Sequence, residues 1–214
     1  MKRFTFNDLE YEEDHLVYPV EEDTLLLLRS IEHELCKNKG RFLEMGCGTG
    51  LISLRAASMG WDTFSVDIEP RALGLVRRNL RLNGLNGRQY LSDLYQGIPR
   101  SCKDSFDLIC FNPPYVGSGK ASLSRRDGMA LEGGPGGWEK AYLFLIGSTR
   151  FLNEAGRVQI LMKPQWDNEM SAIGQHYGSL EKGEINEISG ERFSVWTLTQ
   201  KQQLYPSSKN RKTD

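Results

Sequence analysis

The run Asn112-Pro113-Pro114-Tyr115 directly follows the apolar stretch Phe106-Asp107-Leu108-Ile109-Cys110-Phe111. Two prolines remove backbone donors and hold the chain extended, so the run must leave whatever sheet the apolar stretch belongs to. The side-chain oxygen of Asn112 and the rigidly carried carbonyl of Pro113 are then two acceptors able to converge on one NH2 group. A planar amide or amino nitrogen is a poor nucleophile because its lone pair is delocalised. Gripping its N–H hydrogens aims that lone pair at an electrophile, and the same acceptors stabilise the positive charge that grows on nitrogen as the new bond forms. Pro114 extends the rigid segment, and Tyr115 offers an aromatic face on which a planar group can stack. Positioning of this kind lowers a barrier by up to ~7–11 kcal/mol without a strong base. That suits a chain with no Ser/His/Asp or Cys/His pattern. An ordinary surface turn is the bland alternative, and a position just after a central strand argues against it.

A second group of residues fits a ligand rather than an acceptor. Glu44-Met45-Gly46-Cys47-Gly48-Thr49-Gly50 follows an apolar strand, and a turn bare of side chains lets backbone approach a bound molecule closely. Its glycines lie two apart, so Gly50 comes too early for the G-x-G-x-x-G of a nicotinamide cofactor. The carboxylate of Glu44 beside Gly46 and Gly48 suits a cationic amino group. Asp67 closes the next strand, where a carboxylate can take two hydrogen bonds from ribose hydroxyls. Asp93 holds the corresponding place one unit along and can accept from an adenine amino group, while Ile68 and Leu94 supply apolar faces for the ring. The set asks for a nucleoside without phosphates. Each aspartate alone is better explained as a turn or helix cap; the combination with Glu44 and the glycines reverses that balance.

These residues need a particular frame. Glu21, Glu22 and Asp23 precede a helix reaching about Cys36, their negative charge facing its positive end. Phe42 to Met45 reads as a buried strand, Leu51 to Met59 as a helix, Asp62 to Val66 as a strand, and Pro70 to about Asn83 as a helix stopped by Gly84. Strands follow at Arg88 to Leu91 and Phe106 to Phe111, then a long loop through Gly117, Gly119 and the Gly133 to Gly137 cluster. Beyond it come a helix from Glu139 to Arg150, a strand from Arg157 to Met162, and a helix from Gln165 to Tyr177. Two strands, Gly183 to Ser189 and Phe193 to Thr199, turn about Gly190. The alternation implies an α/β fold: a mainly parallel, seven-stranded sheet with helices on both faces and an antiparallel hairpin at one edge. With 214 residues and 39% hydrophobic content, one domain over 1–204 is expected, and a polar, disordered tail over 205–214.

Composition removes several classes. Acidic and basic residues number 28 and 27, unlike a surface built to neutralise a phosphate backbone. Cys36, Cys47, Cys102 and Cys110 form no C-x-x-C pair, and His15, His33 and His176 lack ligand spacing, so no metal is expected. Met1-Lys2-Arg3 is followed by acidic residues rather than an apolar signal core, and Leu25 to Leu28 is far short of the ~20 residues of a membrane helix. A cytoplasmic protein without a membrane partner is the expectation.

The ordered combination resembles the HemK/PrmC family of protein-glutamine methyltransferases, in its short archaeal and eukaryotic branch. The likeness runs through Val17-Tyr18-Pro19, Glu22-Asp23-Thr24, Leu43 to Gly50, Asp67, Asp93-Leu94, Asn112 to Tyr115, and Ala130-Leu131-Glu132-Gly133-Gly134. The short stretch before Tyr18 leaves no room for the N-terminal helical domain of the long bacterial branch. The resemblance implies a class I methyltransferase, Rossmann-like fold and S-adenosylmethionine as cofactor. Tyr18, Thr24, Glu44 and Gly46 would sit at its methionine part, Asp67 at the ribose, and Asp93 and Leu94 at the adenine. Asn112 to Tyr115 would hold the acceptor amide, with Asn112 also near the cofactor. The implied substrate is the glutamine of the Gly-Gly-Gln loop of a class-1 translation release factor, and the implied partner a small zinc-binding activator that pairs with a sheet edge. Val20 and Gly136 depart from the family pattern, the second bearing on the shape of the glycine loop.

Two other readings stay open on sequence. The Asn-Pro-Pro-Tyr loop also serves enzymes that methylate an exocyclic amino group of an extruded RNA or DNA base, and Arg77, Arg78, Arg81, Arg125 and Arg126 offer phosphate contacts. A non-catalytic module retaining the cofactor fold is the other.

Overall fold

The computed structural model of the protein describes residues 1–117 and 132–200. A hairpin, β1 (Lys2–Phe6) and β2 (Leu9–Glu13), precedes α1 (Glu22–Lys37). The alternation then runs β3 (Arg41–Met45), α2 (Leu51–Ser58), β4 (Asp62–Asp67), α3 (Pro70–Leu82) and β5 (Arg88–Leu91). β6 (Phe106–Phe111) follows, and the two-residue β7 (Val116–Gly117) pairs in parallel with β8 (Glu132–Gly134). The chain ends its described part with α4 (Glu139–Ser148), β9 (Leu152–Met162), α5 (Asp167–Tyr177), β10 (Gly178–Ile188) and β11 (Glu191–Gln200).

Seven strands form one sheet in the order β10-β11-β9-β6-β3-β4-β5. The β9-β6-β3-β4-β5 part is parallel, and the β10–β11 hairpin joins it antiparallel through β11. Strand side chains alternate between faces, and both faces here are covered. Phe42, Leu108 and Cys110 pack beneath Leu27, Ile31, Ile52 and Val76 of α1–α3. Leu43, Ile109 and Phe111 pack beneath Phe144, Leu145 and Ile173 of α4 and α5. That is why β6 reads as an almost unbroken apolar run.

The structure lengthens β9 and β10 beyond their sequence limits and shortens α5. β9 begins at Leu152, opposite Phe106, and passes an irregularity before its regular pairing at Arg157. β10 begins at Gly178, immediately after α5, its polar alternation being that of a half-exposed edge strand. α5 itself starts at Asp167, after a 3-10 turn over Pro164–Trp166. The tail expected from 205, together with Gly119, Ala130 and Leu131, lies outside the described residues.

The β1–β2 hairpin had no sequence counterpart. Asn79 of α3, only 1% exposed, binds the strand as another strand would: its Oδ1 accepts from the Glu12 N–H at 2.8 Å and its Nδ2 donates to the Glu12 carbonyl at 3.0 Å. The same Nδ2 donates to the Thr49 carbonyl at 2.9 Å, tying hairpin and glycine turn to one side chain. Asn83, one turn on, repeats the grip on Glu10 with bonds of 2.9 and 2.7 Å. Truncating Asn79 would strand buried backbone groups, a loss of roughly 1–3 kcal/mol. Asn79→Ala is therefore expected to lower the urea midpoint with an unchanged m value, and Asn83→Ala, at a more exposed site, to lower it less.

Candidate active site

β3 and β6 are neighbours whose chain connections run in opposite directions across the sheet, the place where open α/β sheets bind ligands. Met45 pairs with Phe111 in register. The glycine turn and Asn112 therefore leave the sheet side by side. Between them lies a cavity of about 640 Å³, within the usual range for a small-molecule site. Tyr18, Thr24, Glu44, Gly46, Gly48, Asp67, Ile68, Asp93, Leu94 and the whole Asn112-Pro113-Pro114-Tyr115 run line it, although they come from six separate segments of the chain.

At one end the backbone is bare. Gly46 has φ +61°, and a Cβ there would stand 2.8 Å from the Phe111 ring, so only glycine makes this turn beside β6. Glu44 is 5% exposed, and its carboxylate accepts from the backbone N–H of Ser53 at 2.8 Å and from the Ser53 hydroxyl. Burial pushes its carboxyl up to about 8, with the Ser53 bonds opposing that rise. Asp67 also has its carboxyl raised by burial, countered by backbone N–H bonds from Glu69 at 2.9 Å and Gly48 at 3.0 Å. Asp93 shares one oxygen with Lys140 of α4 at 3.0 Å, a lysine that also lines the cavity and that sequence reasoning did not single out.

At the other end a buried carboxylate organises the loop. Asp23 is 3% exposed, and its Oδ2 accepts from Tyr115 Oη at 2.9 Å, Asn112 Nδ2 at 3.0 Å and Tyr18 Oη at 3.2 Å. Its Oδ1 accepts from the Thr24 N–H at 2.6 Å. Burial, and then the charge of Asp23, push both phenols above their ordinary range, so both remain donors. The Oδ1 of Asn112 is buried with no hydrogen-bond partner among the described residues. The Tyr115 ring meets Phe193 at 5.4 Å and Lys163 Nζ at 4.5 Å, so one of its faces is already taken. Asp23 was read in the sequence as a charge at a helix start and as part of the Glu22-Asp23-Thr24 likeness, without a role at the site. Its place between Glu22 and Thr24, in a segment shared with Tyr18, was the signal available. Arg77, Arg78 and Arg81 are exposed on α3 and do not line the cavity, and Arg125 and Arg126 lie outside the described residues.

A seven-stranded sheet of this order, with a bare glycine turn and acidic strand ends around one cavity, defines a class I methyltransferase. Residues 19–129 match the family described as methyltransferase small domain. A Methanocaldococcus jannaschii protein assigned as a protein N5-glutamine methyltransferase is 37% identical over 147 residues, 68% of this chain and 71% of its own. The release factor glutamine methyltransferase of Lactococcus lactis is 34% identical over 113 residues, 52% of this chain and 40% of that one. Among solved structures, the E. cuniculi Mtq2–Trm112 complex superposes with a TM-score of 0.66 at 22% identity, over 87% of this chain and 99% of that one. The chain belongs to the methyltransferase small domain family, in its HemK/PrmC group of protein-glutamine methyltransferases.

The methyl donor of this class, S-adenosylmethionine, fits the residues present. The cavity has room for it, Gly46 leaves backbone uncovered, and Glu44 and Asp67 line the cavity with carboxylates, which suit a cationic nucleoside rather than phosphates.

The buried Glu44 carboxyl has a measurable signature. Its folded form keeps a proton up to about pH 8, whereas the unfolded chain releases it near 4.5, so stability falls as pH rises through that window. Without ligand, the parent protein is expected to lose stability relative to Glu44→Gln between these pH values, by at most about 1.4 kcal/mol per pH unit, the slope of one bound proton. Paired urea melts across the range provide the check.

Proposed function

We propose that the chain transfers a methyl group from S-adenosylmethionine to the side-chain amide nitrogen of a glutamine, in the Gly-Gly-Gln loop of a class-1 translation release factor. One observation carries this reading: the buried, unpartnered Oδ1 of Asn112 at a cavity that also holds Glu44, Asp67 and the glycine turn. A buried acceptor left unmet costs roughly 1–3 kcal/mol, and an incoming N–H removes that cost. The names of the M. jannaschii and L. lactis relatives support glutamine as acceptor, and the second supports a release factor as its carrier.

When bound, S-adenosylmethionine supplies a methyl group made electrophilic by its positively charged sulfur. Glu44 takes the ammonium of its methionine part, with Tyr18, Thr24, Gly46 and Gly48 around it. Asp67 takes the ribose hydroxyls, and Asp93, Ile68 and Leu94 hold the adenine. At the acceptor end, Asn112 Oδ1 and the Pro113 carbonyl take the two N–H hydrogens of the glutamine amide. Pro114 keeps that carbonyl in place and Tyr115 bounds the pocket. The bonds strengthen as positive charge reaches the nitrogen, so they favour the transition state over the bound amide.

A small activator is the partner in this reading, supported by the E. cuniculi complex with Trm112, and its zinc is what the family resemblance implies. β5 is an edge strand carrying Leu91 at 57% exposure, a surface open to strand addition. No helix among the described residues is long and apolar enough to cross a membrane, and a cytoplasmic site of action is part of this proposal.

The test is incubation with labelled methyl donor and a release factor, with and without the activator, followed by mapping of the modified residue. Label on the Gly-Gly-Gln glutamine is expected; label on RNA alone would reject the protein acceptor. Asn112→Ala should retain cofactor binding and lose transfer by roughly 10²–10³-fold, as for loss of one preorganised transition-state hydrogen bond. Transfer at the parent rate would remove Asn112 from this role.

A further inference from the structure

We infer that Asp23 fixes which end of the Asn112 amide faces the acceptor, and so makes the site select a ligand offering N–H over one offering only oxygen. The inference deepens the glutamine reading and rests on it for the identity of the ligand.

The two ends of an asparagine side chain have almost the same shape, and their partners decide which way each points. At Asn112 that decision is one-sided. An ionised carboxylate only accepts, so the atom 3.0 Å from Asp23 Oδ2 must be the nitrogen. Turning the amide over would set its oxygen against a carboxylate oxygen in a place shielded from water, exchanging a charge-assisted hydrogen bond for repulsion between acceptors. Asp23 cannot swing away to relieve this. Its Oδ2 is also held by the hydroxyls of Tyr18 and Tyr115, its Oδ1 by the Thr24 N–H, and its side chain is buried.

A charge complementing the start of α1 would need none of this. Glu22 fills that role from the same turn while remaining exposed. Three donors from the segment before α1 and from the loop after β6 converging on one oxygen of Asp23 amount to a built anion site whose product is the orientation of Asn112. The consequence appears on the other side of the amide, where Oδ1 is left buried and unpartnered. A primary amide brings N–H groups to that oxygen. A carboxylate of the same shape brings lone pairs and a second negative charge, so glutamine is accepted and glutamate excluded. Asp23 also lines the cavity, but its Oδ2 is filled by three donors, so it is a positioning residue that acts through Asn112.

The test pairs a substrate-independent readout with a specificity readout. In the parent protein, the Asn112 side-chain NH2 protons should be protected from solvent exchange at least tenfold over those of exposed asparagines, by side-chain amide NMR. Exchange as fast as at exposed asparagines would overturn the inference even if no variant folds. Asp23→Asn keeps shape but can present either end to Asn112. Assayed at saturating cofactor, because Asp23 also holds Tyr18 and Thr24, it should lower kcat on a glutamine peptide by about 10–100-fold and reduce the preference for that peptide over its glutamate twin at least tenfold in competition binding. The exchanged pair Asp23→Asn with Asn112→Asp restores one donor facing one acceptor and again leaves an oxygen toward the ligand. It should recover at least tenfold of the kcat lost in Asp23→Asn. Unchanged kcat and unchanged peptide preference in Asp23→Asn would overturn the inference, as would an exchanged pair no better than the single variant. A parent enzyme that modifies no glutamine would count against the acceptor assignment alone, and the Asn112 exchange rates would still decide the role of Asp23.

Discussion

Two parallel strands that end level with one another set the geometry of this protein. Because Met45 and Phe111 are paired, whatever follows β3 and whatever follows β6 must emerge within one strand spacing. A ligand lying over the bare turn at Gly46 is therefore brought beside a group held by Asn112, with no mobile element needed to join them. The aromatic ring of Phe111 enforces the arrangement from within the sheet, since it occupies the space a side chain at position 46 would need. A one-residue slip between these strands would turn Glu44 from the α1–α3 face to the α4–α5 face. The apolar residues packed on both faces make such a slip prohibitive, so the thick core and the precision of the site have one origin.

Three of the carboxylates around the cavity are each in a different balance. Glu44 has only Ser53 to offset its burial, so its acid form persists to about pH 8 until a cation approaches. Asp67 is better compensated, by backbone N–H groups of the turn and of the segment leading to α3. Asp23 is the most completely satisfied, with five donors on two oxygens. The gradient is useful. The group with unspent capacity lies where a cationic ligand would go, and the group with none left serves to hold other side chains still.

Much of this frame was legible because it rests on local signals. The glycine turn, the prolines after β6, Pro70 at the start of α3 and the hydrophobic periods of the strands each act within a few residues of where they stand. Eleven of the thirteen named positions that line the cavity could be picked out for the same reason, since they lie at or just after strand ends, which share one edge of a parallel sheet; Tyr18 and Thr24 came from the family resemblance. What stayed hidden was produced by distant partners. β1 and β2 are short and set Phe4, Phe6, Leu9 and Tyr11 among charged residues, with Tyr11 as their one buried side chain, and they are held as a hairpin on α3 by Asn79 and Asn83, more than sixty positions away. Asp23 was hidden by the opposite circumstance: its local explanation, a charge at a helix start, was sufficient and incomplete. The limits of β9 and β10 were misplaced where an irregularity and an exposed edge weakened the apolar pattern.

The same saturation of Asp23 bears on how a weak nucleophile can react here without a base. A carboxylate beside the acceptor invites the role of proton acceptor, yet its Oδ2 already takes three hydrogen bonds and its Oδ1 two more, which spends the lone pairs such a role would need. The Tyr18 and Tyr115 phenols are held in their protonated forms by burial and by that same charge, and burial likewise keeps the Cys47 thiol neutral. Early removal of a proton would in any case be the harder route, because an amide N–H is far less acidic than any of these groups. Once nitrogen has begun to gain the methyl group it becomes strongly acidic, and the proton can then pass to water with no dedicated base. The protein's contribution is thus made before any proton moves, by holding acceptors where positive charge will arrive, which is why side chains with no basic capacity to spare suffice around the loop after β6.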